Sequence, residues 1–222
     1  MSIAQNIEKI KSCLPANITL VAVSKFHPIE SLREAYHAGQ RVFGESRVQE
    51  LAAKQPSLPP DIEWHFIGTL QRNKIKYIAP FIHTIQSIDS LDLLNDVNKY
   101  AAKNNRLIHV LIEVHIATES SKHGFSLDEC RMLFQEKQLA AYPNVRISGL
   151  MGMATFTDDT SLIEQEFRSL QQLFDKLKLS DLTDDSFTEL SMGMSDDYPI
   201  AVRCGSTMVR VGTSIFGVRH QI

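Results

Sequence analysis

Apolar residues along the 222-residue chain fall into two patterns that take turns. One is a short, continuous run of aliphatic and β-branched residues; the other is an apolar stripe recurring every three or four positions. The runs predict strands over 18–24, 41–44, 64–68, 82–88, 107–116, 145–153, 189–194 and 208–212. The stripes predict helices over 28–37, 48–54, 73–78, 91–102, 127–140, 162–177 and, briefly, 198–202. A further amphipathic helix opens the chain, with Ile3, Ile7, Ile10 and Leu14 on one face and Ser2 and Gln5 at capping-box spacing. The same device is read at Ser126 with Glu129, and at Ser161 with Glu164 ahead of the longest stripe, Ile163, Phe167, Leu170, Phe174 and Leu177.

Strands this continuous have no wet face, and strict alternation of strand and helix implies a parallel sheet covered by helices. Eight of them close most economically into an α/β TIM (β/α)8 barrel with an extra N-terminal helix, residues 1–222 forming a single domain. The stretches 55–60 and 181–186 read as surface connections, and no room is expected for a second domain after the last strand.

Composition narrows the partners. A net charge of −3 and a pI near 6.2 supply no cationic field for a phosphate backbone, which argues against nucleic acid. Cys13, Cys130 and Cys204 are widely spaced and odd in number, as suits reduced thiols rather than a disulfide framework or zinc site. Glu8, Lys9 and Lys11 interrupt the first apolar positions, so neither a signal segment nor a membrane span is expected. A cytoplasmic, monomeric, enzyme-like domain remains.

In such a barrel the chemistry lies at the carboxyl ends of the strands. That filter selects Lys25, Glu45 with Ser46, 69–73, Ser87, the residues after Ile116, 151–155, 191–195 and 210–213. A lysine desolvated at a strand end is a Schiff-base nucleophile; from position alone, one that merely snorkels off the strand is the alternative. Gly212 and Thr213 open a glycine-containing turn after the eighth strand, where barrels favour phosphate. An amine on the first strand facing an anion cradle on the eighth is what pyridoxal 5'-phosphate requires. His65 reads as a hydrogen-bonded strand residue, and the eight histidines show no HxH or HExxH spacing, so no metal is expected. Met151, Met153, Met192 and Met194 read as core or cofactor walls, Lys74 and Lys122 as loop lysines, and Gly152 and Gly193 as close approaches or bends.

The segments 21–25 (VAVSK), 43–50 (FGESRVQE), 64–68 (WHFIG), 70–74 (LQRNK), 191–196 (SMGMSD) and 209–217 (VRVGTSIFG), in this order over nearly the whole chain, resemble the pyridoxal phosphate homeostasis protein family. The resemblance implies that Lys25 forms the internal aldimine, that Ser195, Gly212 and Thr213 hold the phosphate, and that Arg210 lies near the pyridine nitrogen, as in the barrel domain of alanine racemases. Ser46, beside the ring, and His115 each stand where the family usually has asparagine. An arginine at the ring nitrogen disfavours its protonation and weakens the ring as an electron sink. Racemisation also needs a second acid or base, which racemases take from a tyrosine of an added domain. The expected role is therefore pyridoxal phosphate, vitamin B6 and amino-acid homeostasis without robust turnover, with PLP-dependent apo-enzymes as recipients; a small PLP-dependent amino-acid racemase is the alternative.

Overall fold

A computed structural model describes residues 2–119, 123–136 and 138–217. Eight parallel strands form a closed barrel in sequential order: β1 Thr19–Val23, β2 Val42–Glu45, β3 Glu63–Phe66, β4 Thr84–Ile88, β5 Ile108–Val114, β6 Val145–Gly152, β7 Glu189–Ser191 and β8 Met208–Val211. Closure is made by β1 on β8, with Thr19 opposite Met208 and Ala22 opposite Val211. The helices are α1 Ile3–Cys13, α2 Ile29–His37, α3 Val48–Lys54, α4 Ile75–Ile78, α5 Leu91–Lys103, α6 Leu127–Gln135, α7 Thr160–Lys178, α8 Tyr198–Arg203 and α9 Thr213–Phe216. The N-terminal helix packs on α2 and α9, burying Ile7 and Ile10, and Asn6 donates to the Ile215 carbonyl at 2.8 Å.

The expected barrel is the observed one, and the capping boxes at Ser2 and Ser126 are both formed. Three local readings need correction. Helix α7 starts two residues earlier than the Ser161–Glu164 box implies, because Asp159 takes the amides of Ser161 and Leu162 on its carboxylate; a charged acceptor there outcompetes a hydroxyl. Glu164 is drawn instead to Arg168, one turn on. Helix α6 stops at Gln135, since the polar run 135–138 offers no apolar position to hold another turn. Strand β7 ends at Ser191 because Gly193 turns the chain at φ +96°, into a loop where the Asp197 carboxylate takes the Met194 amide at 2.5 Å.

Gly149 marks the tightest strand packing. A Cβ there would lie 1.7 Å from the Glu189 carbonyl oxygen, so β6 and β7 approach only because that atom is missing. No helix of the described residues is long and apolar enough to cross a membrane.

Candidate functional site

Lys25 sits in the turn that leaves β1, half-buried, between buried Ser24 and Phe26, whose φ of +67° lies in the left-handed region. A non-glycine residue holds that conformation only when its surroundings enforce it. The enforcement comes from α3. Lys54 Nζ donates to the Ser24 carbonyl at 2.8 Å, to Glu45 Oε1 at 2.8 Å and to Glu50 Oε1 at 2.6 Å. Glu50 Oε1 also accepts the Phe26 amide at 2.6 Å, and Ser24 Oγ donates to Glu45 Oε1 at 2.7 Å. The backbone is thus gripped on the residue before Lys25 and on the residue after it. Glu45 is wholly buried; burial pushes its carboxyl above the ordinary range, against the pull of Lys54 and Ser24, and its Oε2 has no partner among the described residues.

Beside the lysine, where β1 closes on β8, the chain after β7 and the chain after β8 are tied together. The Gly212 amide donates to Ser195 Oγ at 3.2 Å, and Gly212 lies close enough to β1 that a Cβ would meet the Val23 carbonyl at 3.2 Å. Arg210, 4% exposed, donates through Nη1 to Ser191 Oγ at 2.5 Å and through Nη2 to the Gly152 carbonyl at 3.0 Å. Burial lowers its pKa to about 10, with Asp197 and Glu113 opposing, so it stays cationic at neutral pH. Glu113, buried on β5, is pushed up to about 7 by burial and by Asp89, with Arg210 pulling the other way.

Lys25, Ser195, Arg210, Gly212 and Thr213 line one cavity of about 230 Å³ at the carboxyl mouth of the barrel. Its walls are apolar, from Val23, Ile67, Met153 and Met194, and Phe156, 86% exposed, stands at its edge. His27 and Asp196 also face it, His27 stacked on Phe216 at 4.9 Å between ring centroids. The strand-end filter did not extend to Phe156 and His27; each follows a selected residue by one or two positions, which was the available signal.

Other candidates lie elsewhere. Ser46 follows β2 but is not among the residues lining the cavity; its carbonyl packs where a Cβ on Gly68 would come within 2.5 Å. His115 donates its amide to Phe125 and does not line it either. Lys74 reaches over the Tyr77 ring, outside the cavity. Lys122 lies outside the described residues. Met151 and Met192 are core, and Gly152 and Gly193 make room for Leu170 and for Ala201 with Tyr198, not for a ligand.

The alanine racemase N-terminal domain family model matches residues 1–220. A pyridoxal phosphate homeostasis protein of Pasteurella multocida is 39% identical over 234 residues, covering 99% of this chain and 98% of that one. A protein of the same name from Schizosaccharomyces pombe is 40% identical over 206 residues, covering 91% and 85%. The chain belongs to the pyridoxal phosphate homeostasis protein family. Among solved structures of the family's fold, PipY of Synechococcus elongatus PCC7942 without PLP superposes with a TM-score of 0.91 at 36% identity, over 97% of this chain and 100% of that one. The same protein with PLP bound gives 0.87 at 35%, with the same coverage. An alanine racemase of Clostridium difficile 630 matches at TM-score 0.79 and 15% identity over 56% of its length, a likeness of fold alone.

Proposed function

We propose that this protein holds pyridoxal 5'-phosphate covalently through the Lys25 amine, with the phosphate on Ser195, Gly212 and Thr213 and the ring edge toward Arg210. In this reading it keeps the cofactor available for PLP, vitamin B6 and amino-acid homeostasis rather than turning over substrate. The observation that carries it is the convergence of these five residues, from the ends of β1, β7 and β8, on one cavity. The cavity suits the group: an amine, the Arg210 cation and a hydroxyl-and-amide cradle for an anion, with methionine and aliphatic walls for an aromatic ring. When bound, the cofactor supplies an aldehyde that a deprotonated amine attacks, with loss of water. The PLP-bound relative, alike over its whole length, supports the assignment.

Arg210 accounts for the expected lack of turnover. It is cationic at neutral pH and anchored by two hydrogen bonds, so it stabilises an unprotonated ring nitrogen. We read the protein as one domain, a monomer in the reducing cytoplasm with its three cysteines free, passing cofactor to PLP-dependent apo-enzymes.

The test is an absorbance spectrum of the purified protein before and after borohydride, followed by mass mapping of the reduced adduct. A pyridoxyl group on Lys25, absent from a folded Lys25→Ala variant, is expected; an adduct on another lysine would overturn the assignment. His27 and Asp196 in the cavity favour one rival, a small amino-acid racemase, since both can move protons. Exchange of an amino acid's α-hydrogen for deuterium at turnover rates would establish that rival.

A further inference from the structure

The barrel core beneath Arg210 is polar. Ser191 and Gln86 are wholly buried, and His65 is 3% exposed. Arg210 Nη1 donates to Ser191 Oγ at 2.5 Å, Ser191 Oγ donates to Gln86 Oε1 at 2.7 Å, and Gln86 Nε2 lies 2.8 Å from His65 Nδ1. His65 then borders a second cavity of about 280 Å³ at the amino ends of the strands.

We propose that Ser191, Gln86 and His65 are positioning residues for Arg210, a hydrogen-bond chain of fixed direction that holds the guanidinium edge at the cofactor cavity. The proposal rests on the reading above, in which Arg210 meets the ring. The direction follows from the donors. Arginine can only donate, so Ser191 Oγ accepts there and spends its own proton on Gln86 Oε1. That fixes the rotation of the amide, whose nitrogen then faces His65 Nδ1. An amide nitrogen never accepts, so His65 Nδ1 must carry a lone pair, and its proton sits on Nε2. Burial, with His83 and His109 nearby, lowers the His65 pKa to about 3, so the ring is neutral across the cellular range. One guanidinium therefore dictates a tautomer at the far side of the core.

Glu63, His65 and His83 also come within 4.8 Å of one another as possible metal ligands. The chain argues against that use. With its proton on Nε2 and its Nδ1 taken by Gln86, His65 has no lone pair left for a metal, and its ring lies within 2° of the His83 plane and His83 within 7° of His109. His83 and His109 turn Nδ1 to Thr84 and Ser148 instead, closing the floor of the barrel with local hydrogen bonds.

Two measurements test the chain. In the cofactor-free protein labelled with ¹⁵N at histidine, long-range ¹H–¹⁵N correlation should show His65 neutral with its proton on Nε2 from pH 5.5 to 8. In Ser191→Ala, Gln86 Oε1 loses its donor and the amide keeps, besides His65, only the weaker Nε2 bond to Met208 Sδ at 3.2 Å, so it can rotate and the Nδ1–H tautomer should appear. A wild-type proton on Nδ1, or a tautomer unmoved by Ser191→Ala, would overturn the proposal. With PLP, Ser191→Ala should raise the dissociation constant about tenfold, the scale of one hydrogen bond to a charged group, and Gln86→Leu, which removes a neutral bond, about fivefold. They should also move the pH at which the bound-cofactor absorbance changes. Thermal melts establish folding; should Gln86→Leu not fold, Ser191→Ala, which deletes one oxygen, decides. Unchanged affinity and pH profile in a folded variant would refute the chain. Absence of a Lys25 adduct in the wild type would instead refute the functional reading, with the tautomer experiment still deciding the chain.

Discussion

Lys54→Met is the sharpest test of how the turn that carries Lys25 is held. The substitution keeps the length of the side chain and removes one ammonium that serves the Ser24 carbonyl, Glu45 and Glu50 at 2.6 to 2.8 Å. Glu45, with no exposed surface, then loses its cation while one of its oxygens already lacks a partner. Taking one member from a buried ion pair costs about 3–5 kcal/mol, because the survivor is a desolvated charge. Glu45 limits the loss by binding a proton in the fold, so its folded pKa, already raised, rises further. The sign follows: the unfolded chain releases that proton near the ordinary carboxylate pKa, so stability is retained below it and lost as pH rises through the folded value. At pH 7.5, urea denaturation of the cofactor-free variant should show a loss of about 3–5 kcal/mol with an unchanged m value. The double variant Lys54→Met with Glu45→Gln removes the wholly buried charge, leaving only the partly exposed Glu50 without its cation, and should recover more than half of it. Borohydride trapping at residue 25 should slow in the single variant, since the left-handed Phe26 loses part of its support. A single variant within about 1 kcal/mol of wild type, or a double variant no better than the single, would refute the buried clamp.

Three further outcomes are expected. Glu113 titrates near 7 in the fold, so its contribution is present below the ordinary carboxylate pKa and lost as pH rises to about 7; Glu113→Gln should stabilise by up to about 3 kcal/mol at pH 8 and by much less at pH 5, and an equal effect at both would exclude the burial cost. Gly149→Ala places a methyl 1.7 Å from a carbonyl oxygen and should abolish folding or remove more than about 3 kcal/mol, whereas Gly39→Ala, with open space but φ +84°, should lose only about 1–2 kcal/mol; comparable denaturation midpoints would contradict the strand approach. In native protein one thiol, the exposed Cys13, should react quickly with Ellman's reagent, because Cys130 is buried with its pKa pushed up to about 12 and Cys204 is buried with its pKa raised; two fast thiols would show an opening of the helical shell.

What could be read from sequence divides along range. Strands, their order and the lysine at the end of the first follow from local apolar pattern, since a parallel barrel buries both faces of every strand. The clamp was half legible: Glu50 and Lys54 stand one helical turn apart, which by itself predicts an exposed pair of small worth. Its burial depends on Glu45, delivered by the neighbouring strand, and no local pattern announces that. The chain below Arg210 joins residues 65, 86, 191 and 210, from four strands that meet only on closure, and single residues at such separations carry no periodic signal. Ser46 illustrates the reverse: adjacent in sequence to Glu45 at the right strand end, it is turned into the packing beside Gly68 instead of lining the cavity.

The turn that carries Ser195 shows why the strand pattern overran at β7. Residues 189–194 read as one apolar strand, and the structure keeps hydrogen bonding to β8 along that length, from Met192 N to the Met208 carbonyl and from Arg210 N to the Gly193 carbonyl. What changes at Ser191 is the backbone conformation, not the partnership. Gly193, at φ +96°, lets the chain rotate while remaining bound, and a Cβ there would strike Ala201 at 2.6 Å and Tyr198 at 2.9 Å. Ser206 Oγ lies 2.8 to 3.1 Å from the carbonyls of Leu190, Met192 and Met208, stitching the seam from inside. Ser195 then arrives beside the Gly212 amide, where an irregular strand end is still tied to a regular one. A regular β7 would alternate its side chains across the barrel wall. The conformational break that ends the strand thus brings Ser195 to the Gly212 amide, so that residues 195, 212 and 213 line the same cavity as Lys25.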